Sequence, residues 1–304
     1  MLRRRRRRRA PRAGQRPDRK TPLEHDSHPI KATREPQRSS MSAPTTTSGR
    51  RRARTLRTDR WWLPPLGTAL GLSAFVIYGL VRTFMNQWYW APEQHYLAPF
   101  FSPCLSEACV PGASHLGTPF PDLAPWIPPP VFVLPFVLGF RLTCYYYRKA
   151  YYRAFWASPP ACAVTEPHRR YTGESRFPLI LQNSHRYFFY TALLVAAVLT
   201  YDTVLAFQGV NGGFGIGLGT LLMVVNVVLL WAYTLSCHSC RHLIGGRINH
   251  FSKHPVRYRM WTWVSGLNGR HMSLAWASLI SVALVDLYVM LVAAGAFPDP
   301  RLIN

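Results

Sequence analysis

Residues 218–242 read LGTLLMVVNVVLLWAYTLSCHSCRH. Apolar side chains run from Leu218 to Ala232 without a charge, as in a helix that crosses the hydrocarbon core of a bilayer, which takes about 20 residues. The run ends on Cys237, His238, Ser239, Cys240, Arg241 and His242, a knot of soft metal-ligand side chains. Lipid-facing helices favour Leu, Val and Phe, and polar or ionisable groups at membrane depth serve ions, protons, electrons or ligands. The stretch therefore predicts a membrane helix that carries chemistry at one surface.

Working outward, the basic residues set the topology. The chain has 36 Lys and Arg against 13 Asp and Glu, a net charge of +23, and such a balance alone suggests nucleic acid or anionic lipid. Its distribution excludes the first. No Lys or Arg occurs between Arg82 and Arg141, between Arg186 and Arg241, or between Arg270 and Arg301, and each gap holds apolar runs long enough to cross a bilayer. Basic residues gather instead before Trp61, between Arg141 and Arg186, and between Arg241 and Arg270. This positive-inside pattern predicts an all-α integral membrane protein with five transmembrane helices, over 66–85, 131–147, 188–207, 216–236 and 273–294. The amino terminus is cytoplasmic and the carboxyl terminus outside. Residues 61–304 form one anchor domain, with an outer loop at 87–130 and inner loops at 148–178 and 241–270. Trp61, Trp62, Trp88, Trp90, Trp126, Trp261 and Trp263 fall near the expected surfaces, as an aromatic belt would. Residues 1–60, with the run Arg3 to Arg9, lack the large apolar side chains that folding needs and read as a disordered basic tail. Met41 is an alternative start. No cleavable signal precedes the first span, whose basic flank is too long for one.

The cysteines divide by side. Cys104 and Cys109 lie in the outer loop, where two nearby thiols pair as a disulfide. Cys144, Cys162, Cys237 and Cys240 lie at the inner surface, where reduced thiols in a cluster indicate metal or redox work. His185, His238, His242 and His271 are on the same side. Two stacked haems crossing the membrane are excluded, because no histidine lies deep in a span. A single haem b between His185 and His242 or His271 remains open, as does structural zinc. A Rieske-type two-iron cluster, which takes two cysteines and two histidines, would use both residue types. Its candidate ligands are Cys237, Cys240, His242, His185, His238 and Cys162. Cys240 and His242 show the C-x-H spacing of a Rieske loop, but the matching C-x-x-H is missing. A small transporter or zinc-stabilised scaffold is the competing class, and neither internal repeats nor paired broken helices support a transporter.

Four segments carry a resemblance: RLTCYYYRKAYYRAFW from Arg141, EPHRRYTGESRFPLILQNSHRYFFY from Glu166, TLSCHSCRH from Thr234 and HFSKHPVRYRMWTW from His250. They resemble the membrane-anchor subunit of the actinobacterial, mycobacterial-type succinate dehydrogenase, over most of the chain from about Arg50 onward. The resemblance implies a partner flavoprotein that oxidises succinate, a partner iron–sulfur subunit, menaquinone as acceptor, and a Rieske-type [2Fe–2S] cluster where many relatives carry haem. It implies a multi-pass protein of the bacterial cell membrane, in a complex of higher order. The basic inner surface then docks the soluble partner and anionic lipid. A quinone site needs an apolar slot with one or two donors, for which Tyr145, Arg148, Arg186 and Trp261 are expected. Asp202 and Asp286, carboxylates within spans, are expected to line a proton route.

Overall fold

The computed structural model describes residues 57–122, 124, 126–165 and 179–304. All but the last four residues of the expected tail, and residues 166–178 of the first inner loop, lie outside the described residues. Helix α1 (Leu63–Met85) opens with prolines in its first turn and stops at Asn86, which is left-handed at φ 48°. Both ends follow from local chemistry: proline lacks only an amide the first turn cannot use, and a left-handed residue closes a helix. Helices α4 (His185–Leu205), α5 (Leu218–Leu235) and α8 (His271–Ala293) follow later in the chain. Together with α1, and with a short 3-10 lead-in to α4 counted, these make four helices among the described residues that are long and apolar enough to cross a membrane.

The expected second span is not one helix. Its apolar part is α2 (Leu134–Thr143), ten residues and so about 15 Å long, half of a hydrocarbon core of about 30 Å. Cys144 is extended (φ −64°, ψ 130°), and the chain turns there into α3 (Tyr145–Phe155). Prolines 128–130 and 135 confine helix formation at the end expected to face outward, and the break at Cys144 ends it at the end expected to face inward, the senses in which outer and inner are used from here on. At the inner face α5 gives way to α6 (His238–Gly245), followed by α7 (Pro255–Asn268).

Helix α5 packs along α8, α4 lies against both α2 and α5, α3 packs on α1, and α6 on α7. Two apolar cores result. The outer one joins Tyr96, Leu97 and Phe101 of the outer loop to Met223 of α5 and Val285 and Val289 of α8. The inner one contains Phe140, Cys144, Tyr147, Phe189, Tyr233, Cys237, Cys240, Val264 and Leu279. The outer loop is itself ordered. It holds a two-residue hairpin of β1 (Trp90–Ala91) and β2 (Tyr96–Leu97), and Cys104 and Cys109 are joined in a disulfide. Strand β3 (Ile216–Gly217) pairs with β4 (Arg301–Ile303) near the carboxyl terminus.

Buried charges tie the outer half together. Arg82 on α1 and Asp286 on α8 are 1% and 0% exposed, with Nε 2.7 Å from Oδ2. The Tyr78 hydroxyl donates to the same oxygen at 2.7 Å. Asp202 on α4 accepts from Ser102 and lies 2.7 Å from Nδ1 of His115, so it holds the outer loop down. Asp299 accepts from Tyr96, Tyr288 and the Gly219 amide. Each carboxylate thus has partners of its own, the condition on which a buried ionised group is tolerated.

Candidate functional site

The ends of α2, α4, α5 and α8 converge at the inner core, and each delivers one soft ligand there. Cys144 follows α2, His185 begins α4, Cys237 follows α5 and His271 begins α8. They meet as two pairs. Nε2 of His185 is 2.9 Å from Sγ of Cys237, and Nε2 of His271 is 3.2 Å from Sγ of Cys144. Both thiols are buried, at 2% exposure.

The second nitrogen of each imidazole is held by a hydroxyl. Nδ1 of His185 is 2.8 Å from Oγ1 of Thr143, and Nδ1 of His271 is 2.6 Å from Oγ of Ser236. Thr143 already donates its one proton to the Gly139 carbonyl at 2.6 Å, and Ser236 donates to the Tyr233 carbonyl at 2.7 Å. A hydroxyl has a single proton to give. Each must therefore accept from the imidazole, which puts the ring proton on Nδ1 and leaves Nε2 bare towards sulfur. This is the tautomer that a metal-ligating histidine takes, with its other nitrogen fixed by a partner outside the ligand sphere.

The two halves are interlocked. Thr143 adjoins Cys144 but holds the histidine that faces Cys237, while Ser236 adjoins Cys237 and holds the histidine that faces Cys144. Aromatic rings cover both imidazoles: Phe140 stacks on His185 with centroids 4.9 Å apart, and Tyr233 on His271 at 5.2 Å. Gly139 lets α2 approach α4, since a methyl group there would run into the Phe188 ring. Burial pushes the Cys237 thiol up to about 12, so at neutral pH it keeps its proton unless a metal ion displaces it.

Of the expected candidates, Cys237 and His185 are brought together, and Cys144 and His271, which are not among them, form the second pair. Cys240 is buried in the inner core but forms no hydrogen bond to either imidazole. Cys237 is the extended N-cap residue of α6 (ψ 148°), its sulfur accepting from the Ser239 amide. His238 and His242 do share one face of α6, and they line a neighbouring cavity with His185. Cys162 is exposed in the inner loop, where its carbonyl accepts from Arg57. Among the described residues no three His, Cys, Asp or Glu side chains converge as ligands of a single metal ion would.

Two cavities flank the donors, and Thr143 and Gln182 line both. One, about 440 Å³ and polar, gathers Tyr145, Arg148 and Arg186 with His185, His238 and His242. The other, about 590 Å³, lies between α1, α2 and α3. Leu72, Phe75, Val76, Leu138 and Leu142 line it, with Arg141, Tyr147, Tyr151 and Gln182 as its larger polar groups. Gln182 reaches the Leu142 carbonyl at 3.3 Å and Tyr151 at 3.4 Å, long distances that mark weakly held donors. Trp261 borders neither cavity. Its ring lies under the Arg241 guanidinium at 4.8 Å, and Gly245 leaves room for it. Asp286 is engaged by Arg82, and Asp202 by Ser102 and His115, so a proton-carrying role for either requires its pair to open.

Residues 63–295 match the family described as actinobacterial succinate dehydrogenase subunit SdhC. A chain of the Mycobacterium smegmatis Sdh1 complex in the apo form is 59% identical, with a TM-score of 0.79. The similarity covers 86% of this chain and 98% of that one. Among curated proteins none matches.

Proposed function

The chain belongs to the actinobacterial family of succinate dehydrogenase subunit SdhC, and from that membership we propose that its inner end receives electrons from a docked iron–sulfur subunit and hands them to menaquinone. As a membrane subunit of a succinate dehydrogenase complex it is an anchor, and succinate itself is oxidised elsewhere in that complex.

We assign Cys144, Cys237, His185 and His271 as ligands of a Rieske-type two-iron cluster. The observation that carries this assignment is the donor set: two buried thiols and two imidazoles of fixed tautomer, four side chains gathered where four helix ends meet. Two cysteines and two histidines are the ligands such a cluster takes, and when bound it supplies a one-electron carrier. The chain's own residues supply everything else. Thr143 and Ser236 hold the Nδ1 protons, so Nε2 of each imidazole carries none; because such a cluster takes both histidines on one iron and both cysteines on the other, each Cys–His pair would part on binding. Phe140 and Tyr233 stack over the imidazoles and fix the planes of the rings. Cys144 and Cys237 give up their protons on binding. Haem b suits the geometry less, because each bare nitrogen already faces a thiol; zinc suits it less, because the donors form two pairs rather than one tetrahedron.

Menaquinone fits the cavity between α1, α2 and α3. Its volume is in the range of small-molecule sites, and its walls are apolar with few donors, as such sites are. Tyr151 and Gln182 are placed to donate to the quinone carbonyls, and Thr143 forms the partition between this slot and His185. Tyr145, Arg148 and Arg186, in the polar cavity, belong with the basic surface of Lys149, Arg153, Arg247, Lys253, Arg257 and Arg259. That surface suits an acidic partner subunit and anionic lipid headgroups. We further propose five crossings, α2 and its lead-in being the short one, with the amino terminus inside; the charge distribution supports this.

Pulsed electron paramagnetic resonance of the reduced, intact complex tests the cluster. Strong nitrogen couplings from two imidazoles on a two-iron signal support the assignment. A complex whose reduced centres all lack them, or whose anchor carries stoichiometric zinc, overturns it.

A further inference from the structure

We propose that Arg141 is the standing counter-charge of this site and raises its reduction potential, an inference that rests on the cluster assignment above. Arg141 lies at the inner end of α2. Its guanidinium is 4.8 Å from the centroid of the Tyr233 ring, which is itself stacked on His271. Nη1 donates to the Tyr147 hydroxyl at 2.6 Å and Nη2 to Ser278 at 3.3 Å. All of these partners are neutral. Among the described residues no carboxylate pairs with Arg141, and the buried ones, Asp202, Asp286 and Asp299, are taken up by their own networks in the outer half.

The contrast with Arg82 is informative. Arg82 is fully buried, and there the fold supplies Asp286 at 2.7 Å, whereas Arg141 is half-buried and lines the apolar cavity between α1, α2 and α3. An arginine is protonated at any accessible pH, and a cation in a medium of low polarity is costly unless an anion offsets it. At Arg141 the residues described here offer only hydroxyls and ring faces. The anion that completes the site is then the electron.

Two ferric ions, two sulfides and two thiolates carry no net charge when the histidines are neutral, and one added electron leaves a single negative charge. The electron comes from the partner iron–sulfur subunit and leaves for the quinone; no proton is bound or released by Arg141. A fixed positive charge nearby stabilises only the reduced state, because the oxidised state has no net charge to attract it. Hydrogen bonds, net charge and exposure are the levers by which a protein sets such a potential, and Arg141 works the second of them. Tyr233 and Tyr147 position it, their rings and hydroxyl holding the guanidinium where the backbone of α2 alone would leave it free.

The test is a redox titration of the intact complex, depleted of quinone and followed by electron paramagnetic resonance, in the unaltered protein and in Arg141→Gln, Arg141→Lys and Ser278→Asp. Arg141→Gln is expected to shift the reduction equilibrium at least tenfold towards the oxidised form, which is 59 mV lower for a one-electron couple. Arg141→Lys keeps the charge and is expected to keep most of the potential. Ser278→Asp leaves the guanidinium in place and neutralises it, so it should lower the potential as Arg141→Gln does; it decides the matter if Arg141→Gln fails to assemble. An unchanged midpoint in Arg141→Gln or in Ser278→Asp overturns the inference while the cluster assignment stands. A missing two-iron signal in the unaltered complex overturns the assignment itself.

Discussion

Replacing Asp286 with asparagine tests how the outer half is held. The change keeps the side chain's size and removes its charge. Arg82 and Asp286 are 1% and 0% exposed, and Arg82 has one further hydrogen bond to an oxygen, from Nη1 to the Gln87 carbonyl at 3.0 Å. Its Nη2 has no partner among the described residues, so the guanidinium would be left buried with its charge uncompensated. At an effective dielectric constant of about 20, two unit charges about 4 Å apart attract by about 4 kcal/mol, and removing one member of a buried pair costs about 3–5 kcal/mol. Asp286→Asn should therefore lower the thermal midpoint of the purified complex markedly, measured in matched detergent and lipid. The double change Arg82→Met with Asp286→Leu removes both charges and should recover most of the loss, because apolar replacement of a buried pair is close to neutral. Refutation would be a single variant within about 1 kcal/mol of the unaltered protein, or a double variant less stable than the single one. The same pair of variants examines the proton route. If the double variant reduces quinone with unchanged sensitivity to uncoupler, Asp286 carries no protons.

The site and the packing around it give further predictions. Thr143→Val removes the acceptor for Nδ1 of His185 at almost constant volume, and loss of such an outer partner costs about 10–100-fold in metal affinity; iron per complex should fall, while Thr143→Ser retains it. Gly139→Ala drives a methyl into the Phe188 ring, and overpacking of this kind costs about 1–3 kcal/mol, read as a lower thermal midpoint. Leu138→Trp fills the apolar cavity and should abolish menaquinone reduction, yet leave succinate oxidation by an artificial soluble acceptor intact. If both activities fall together, the quinone is bound elsewhere.

Hydropathy located most of the fold. The expected spans at 66–85, 188–207, 216–236 and 273–294 differ by only a few residues from α1, α4, α5 and α8. Each is a continuous apolar run between charged flanks, and such a run has few other ways to satisfy its backbone in lipid. The second span differs for a local reason. Hydropathy averages over a window and does not register that Cys144 is extended, so the expected span at 131–147 runs across the break between α2 and α3. The site was half legible. CHSCRH draws attention because its candidate ligands are close in sequence. The side chains we assign as ligands come from four helix ends. A signal for them was present in the tripeptides Leu142-Thr143-Cys144 and Leu235-Ser236-Cys237, each a hydroxyl followed by a thiol at the inner end of an apolar helix. Nothing in the sequence ties Thr143 to His185 or Ser236 to His271, because those bonds are made only when α2, α4, α5 and α8 pack.

The central claim, that Cys144, Cys237, His185 and His271 hold a two-iron cluster, is tested most directly by low-temperature electron paramagnetic resonance of reduced complexes carrying Cys144→Ser or Cys240→Ser. The account predicts that a two-iron signal of low average g is lost or strongly altered in the Cys144 variant and unchanged in the Cys240 variant. Loss of the signal with Cys240→Ser and its survival with Cys144→Ser would contradict it and return the ligands to α6.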